Sequence, residues 1–272
     1  MTGFTGALLS QGFMQHAAIA ALLAAVGCGV IGSFVVARRI SYLAGGIAHS
    51  VLGGMGLAYF LGRAPFPGAL GAALVAALVI GLVTRRARQH EDIMISAVWA
   101  VGMAAGVMFI SQTPGYSVDL MSYLFGNVLM VPRSDLYLMG ALDAVVLLVV
   151  LGFHKQLIAV AFDEEFAGLR GIPVTFFYML LLCMIALTVV VVVKLVGLIL
   201  VIALLTLPAA IAGRFVRTLV PMMVLASALA AVLSFGGLAL SYGPDWPAGA
   251  TITLVTGAAY FATLGLPRLR RG

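Results

Sequence analysis

Apolar runs of about 20 residues, the length that carries an α-helix across a hydrocarbon core, follow one another along almost the whole chain. Without water every backbone amide and carbonyl in such a run must be satisfied inside its own segment, so the runs are helices bundled in a membrane. They lie at about Met14 to Val36, Ile47 to Leu61, Gly68 to Val83, Ile93 to Ile110 and Leu136 to Gly152, then at Pro173 to Val193, Leu195 to Ala212, Pro221 to Tyr242 and Ala248 to Leu266. The second and third are short and glycine-rich, and only Lys194 parts the sixth from the seventh, so eight or nine helices are expected. With 63% hydrophobic and 9% charged residues, the chain has too little polar surface to cover a water-soluble fold. The expected class is all-α, a polytopic transmembrane helical bundle. No connector is long enough for a second domain, so residues 1–272 are read as one.

Positive charge tests this map independently. With the N-terminus outside, the inward loops hold twelve of the 15 Lys and Arg: Arg38, Arg39, Arg85, Arg86, Arg88, Lys155, Arg170, Arg214, Arg217, Arg268, Arg270 and Arg271. The outward loops hold Arg63, Arg133 and Lys194, an asymmetry of the sense the positive-inside rule requires. The net charge of +6 therefore marks topology and not a nucleic-acid partner. Met1 to Gln15 carries no Lys or Arg before its first apolar run, so no secretory signal peptide is expected. Cys28 and Cys183 each sit inside an apolar segment, where a thiol behaves as a small hydrophobe.

One stretch is densely acidic. Phe162-Asp163-Glu164-Glu165-Phe166-Ala167-Gly168-Leu169-Arg170-Gly171 lies between apolar runs on the inward side and must sit in water. It reads as a short loop plus helix, either a solvated connector or a docking element. Acids at a helix start complement its dipole, and Gly171 allows the chain to turn sharply back to the membrane.

In the second helix Gly46, His49, Gly53 and Gly56 recur at steps of three and four, which stacks them on one face. This nearly bare stripe faces either a neighbouring helix or a narrow cavity. Gly102 and Gly106 form a small-xxx-small pair that lets two backbones approach. His49 is an ionisable group inside the membrane, either a metal contact on a translocation path or a neutral histidine hydrogen-bonded to a neighbouring helix. Asp143 is the acid well inside an apolar run, facing the same path or, by a slight preference, water near the outer surface. His16, His90 and His154 read as solvated interface residues, Glu91 and Asp92 as helix-start acids, and the 13 Met as core packing. Asp119 to Gly126 reads as an interfacial or re-entrant helix, and Trp246 as an interface anchor in an outward turn. There is no phosphate loop of the G-x-x-x-x-G-K-[ST] type and no H-E-x-x-H or G-x-S-x-G element. An ATP-binding subunit, protease or hydrolase is thereby disfavoured.

Six stretches in order resemble the metal-ion permease subunit of bacterial ABC importers. They are Gly32 to Ser41 leading into Ala48-His49-Ser50, Glu91-Asp92, Asp119 to Asn127, Phe162-Asp163-Glu164 with Ala167 and Gly171, Val196 to Ala210, and Ser241-Tyr242 with Pro247 to Thr251. The resemblance implies that Asp163, Glu164, Glu165, Ala167 and Gly171 couple to a cytoplasmic ATPase. It also implies a homodimer in the bacterial cytoplasmic membrane, with the path near the dimer axis and an extracytoplasmic metal-binding protein that delivers a divalent zinc, manganese or iron ion. ATP is then consumed by the partner, and this chain, not itself an enzyme, binds no cofactor. His49 matches a family histidine that touches the metal near the outer gate. Many members carry Asp three residues earlier, where this chain has Gly46; imidazole suits zinc and manganese prefers oxygen, so zinc is slightly favoured. An ABC permease for a metal chelate, such as a siderophore or cobalamin, and an ATP-independent secondary transporter are the rival readings.

Overall fold

The computed structural model describes residues 4–86, 91–113, 126, 128–198 and 201–265. Among the described residues nine apolar helices correspond one for one to the nine apolar runs. Seven are long and apolar enough to cross a membrane: α2 (Gly12–Arg38), α3 (Ser41–Phe60), α4 (Pro65–Arg86), α5 (Glu91–Ser111), α6 (Arg133–Gly152), α9 (Val174–Val196) and α11 (Leu219–Tyr242). Two shorter ones are α10 (Val201–Phe215) and α12 (Ala248–Leu264). Also among the described residues are three short α-helices, α1 (Phe4–Ser10), α7 (His154–Phe162) and α8 (Glu164–Leu169), and a 3-10 turn at Val128–Met130. No strand occurs among the described residues.

The departures from the sequence reading have local causes. α3 starts at Ser41, six residues before the expected Ile47, because Gly45 and Gly46 lower the hydropathy without breaking the helix. α4 starts at Pro65, whose missing amide costs nothing in a first helical turn. The break between α9 and α10 lies after Lys194, which is still helical, at Gly197 with φ +80°. A left-handed backbone ends the helix there, and glycine adopts it without steric penalty. The expected re-entrant helix at Asp119 to Gly126 falls almost wholly outside the described residues, as do Arg88, His90, Arg268, Arg270 and Arg271.

The described chain groups into two compact units, whose divisions fall inside α2, α6 and α9. One unit comprises Met1–Val36, Leu120–Leu147 and Val191–Gly272. In it the backbones of α2 and its neighbours meet closely: a Cβ on Gly29 would overlap Ser227, and one on Gly32 the Leu205 carbonyl oxygen. There Arg133 Nε donates to His16 Nε2 at 3.2 Å, an exposed pair.

The other unit, Ala37–Asp119 with Leu148–Val190, carries the candidate site. Here α3 and α5 run parallel, pairing Gly46 with Ile95, Gly53 with Gly102 and Gly56 with Gly106. α4 returns antiparallel on the other flank of α3, its Gly68 against the Gly54 carbonyl oxygen. Away from that packing, α4 and α5 expose Leu82 and Met108, as helices bathed in hydrocarbon do.

Candidate functional site

The acidic stretch forms a small helix with both ends built from its own side chains and backbone. Asp163 is extended (φ −150°, ψ 98°); it ends α7 and caps α8, its carboxylate accepting from the Phe166 amide at 2.9 Å. Glu164 and Glu165 occupy the first turn, where the dipole favours them. At the far end Gly171 takes φ +74°, donating to the Gly168 carbonyl at 3.0 Å while Ile172 donates to the Ala167 carbonyl at 3.1 Å. This is a Schellman closure, and it explains the spacing of Ala167 and Gly171. Ala167 is fully buried, and Glu164, one turn before it, also faces inward. Phe162, Glu165, Phe166 and Leu169 face out, Leu169 with 89% of its surface exposed. Arg170 lies over the Phe166 ring at 4.7 Å.

Beneath α8 sits a cation cluster. Glu164 Oε1 accepts from Arg38 Nη2 at 2.6 Å and Oε2 from Arg85 Nη1 at 3.0 Å. Arg38 Nη1 also donates to the Val160 carbonyl at 3.1 Å. Both guanidinium carbons stand 5.0 Å from the centroid of the buried Tyr178 ring. Arg38 ends α2 and Arg85 lies in the last turn of α4, where a cation complements the helix C-terminus. Two inward arginines and the acidic stretch therefore meet at one face, as the charge map requires.

His49 lies nine residues into α3 and is buried, 9% exposed. The Trp99 ring of α5 stacks flat on it, centroids 4.2 Å apart and 3° from parallel. Trp99 Nε1 donates to Met103 Sδ at 3.0 Å, which holds the indole in place. Among the described residues His49 Nδ1 has no hydrogen-bond partner, so the neighbouring helix meets it with a ring face. The stripe it belongs to is packed: a Cβ on Gly53 would stand 2.8 Å from the Gly102 carbonyl oxygen, and one on Gly56 2.6 Å from that of Gly106. At Gly46 a Cβ would meet Ile95 Cγ2 at 2.5 Å, so the space a longer side chain would need is filled. Between α3, α4 and α5 an apolar groove of about 920 Å³ opens, with Ser50 and Arg63 as its polar exceptions. Such walls suit hydrocarbon better than an ion. Among the described residues no three His, Cys, Asp or Glu side chains converge to hold a metal.

A model of the ABC 3 transport family matches residues 10–266. The chain belongs to the ABC 3 transport family. This ABC 3 chain is 40% identical over 252 residues to a Chlamydia pneumoniae protein named a probable metal transport system membrane protein, with 90% of this chain and 86% of that one covered. It is 35% identical over 260 residues to the manganese transport system membrane protein MntC of Halalkalibacterium halodurans, covering 96% and 89%. The solved structure of PsaBC from Streptococcus pneumoniae in complex with Fab superposes with a TM-score of 0.89 at 32% identity, over 98% of this chain and 96% of that one. With seven long apolar helices among its described residues, the ABC 3 chain is a multi-pass protein of the bacterial inner membrane.

Three features of this ABC 3 chain escape a reading of its residues in order. Trp99 gives no sign of its stacking partner, although its offset from His49 matches that of Gly106 from Gly56. The partners of Glu164 lie 126 and 79 residues away. Asp143 is not in water near the outer surface: it is 3% exposed, and among the described residues neither carboxylate oxygen has a hydrogen-bond partner.

Proposed function

We propose that this chain is the membrane-spanning permease of an ABC importer that moves a divalent transition-metal ion, manganese first, across the bacterial cytoplasmic membrane. It works as a homodimer, receives the ion from an extracytoplasmic metal-binding protein, and is driven by a separate cytoplasmic ATPase that consumes the ATP. Family membership and the names of the relatives support the class and the cargo. Manganese moves ahead of zinc on the strength of those names, since the preference for zinc rests on one imidazole and on Gly46.

The observation that carries the reading is α8. A six-residue helix capped by Asp163, closed by Gly171 and showing Glu165, Phe166 and Leu169 beside the exposed Phe162 of α7 is costly unless a partner covers it. An ATPase groove with an apolar floor and a basic rim fits that face. The ATPase can shift the permease only through contacts that differ between its nucleotide states. Inside the membrane, His49 is the residue proposed to touch the passing ion. Trp99 covers one ring face, so an ion approaches at the ring edge, where the nitrogen lone pairs lie. One imidazole holds manganese weakly, which allows release.

The test replaces Phe166 and Leu169 together with Asp. Loss of the co-purifying ATPase, with the permease still monodisperse, is expected. Undiminished association and manganese uptake would remove α8 from the mechanism.

A further inference from the structure

We propose that Glu164 is a positioning residue that passes displacement of α8 to α4, and through it to the helix carrying His49, while the neighbouring Glu165 faces the ATPase. The inference rests on α8 being the docking helix. Both Glu164 oxygens are occupied by guanidinium groups, at 2.6 Å from Arg38 and 3.0 Å from Arg85. Their side chains are 13% and 19% exposed, so water screens these pairs less than it does surface ones. Tyr178 of α9 lies under both cations at 5.0 Å, and Arg38 also holds the last turn of α7 through the Val160 carbonyl. One carboxylate therefore ties α8 to α7, to α9 and to the ends of α2 and α4.

Beyond Arg85 the path is stiff. α4 meets α3 where Gly68 touches the Gly54 carbonyl, and α3 meets α5 at the Gly53–Gly102 and Gly56–Gly106 contacts. These contacts set backbone against backbone, and close-packed interiors transmit strain. A push on α8 thus reaches His49 and its Trp99 cover.

Glu164→Gln keeps the shape but leaves two cations without a counter-charge. In proteoliposomes holding permease and ATPase, manganese moved per ATP hydrolysed is expected to fall by roughly fivefold or more, the lower end of coupling between distant sites. That fall should exceed any fall in hydrolysis, which a merely structural role would not produce. The Phe166→Asp, Leu169→Asp double variant is the control arm. If it still binds ATPase, the docking reading fails. If it loses the ATPase while Glu164→Gln moves wild-type manganese per ATP, the strut alone is overturned. Should Glu164→Gln not assemble, Arg85→Lys carries the same ratio, because it keeps a cation but loses the planar fork and its stacking; a wild-type ratio there overturns the proposal equally.

Discussion

Asp163 ends one helix and starts the next, so a single carboxylate sets the direction of α8. Replacing it with Ala removes the acceptor for the Phe166 amide and should cost about 1 kcal/mol of local stability. Hydrogen exchange at Phe166 reads this directly: faster in Asp163→Ala, close to wild type in Asp163→Ser. Gly171→Ala puts a Cβ on a backbone at φ +74° and should cost about 1 to 2 kcal/mol, seen as a lower melting temperature in detergent. Both residues were legible in the sequence, because caps and turns are local and a carboxylate at one end with a glycine at the other has few other uses. Glu164 was legible only as an acid. Its partners Arg38 and Arg85 read as topology signals, and nothing nearby in sequence announces that they share one carboxylate.

At the scale of helices, hydropathy finds the middle of each element and misjudges its ends. Gly45 and Gly46 dilute the start of α3, Pro65 and the arginines fall outside the apolar window of α4, and Gly197 rather than Lys194 ends α9. The packing of α3 on α5 was half legible. The stripe of Gly46, Gly53 and Gly56 and the pair Gly102 and Gly106 were each visible, but only the fold joins them. Overpacking typically costs about 1 to 3 kcal/mol, so Gly53→Ala should lower thermal stability and slow manganese uptake. Gly71→Ala is the matched control. It meets nothing within 4 Å, and exchanging glycine for alanine in a helix should be neutral or gain up to about 1 kcal/mol. Equal melting temperatures for the two would deny the close contact of α3 with α5.

For the whole molecule, the charge map makes one spatial statement: α8 is inside and the turn bearing Trp246 is outside. With Cys28 and Cys183 replaced, an impermeant thiol reagent added to spheroplasts should label Trp246→Cys and leave Glu165→Cys untouched until the membrane is opened. The reverse pattern would invert the topology and remove α8 from any cytoplasmic partner. Cargo identity was least legible at this scale, since His49 is the intramembrane ligand candidate the residues offer and Gly46 supplies no donor beside it. The most direct measurement is manganese accumulation by proteoliposomes holding the purified chain, with and without its ATPase and ATP. Accumulation only when the ATPase hydrolyses ATP is the expected result; a purified chain that concentrates manganese against a gradient by itself would contradict it.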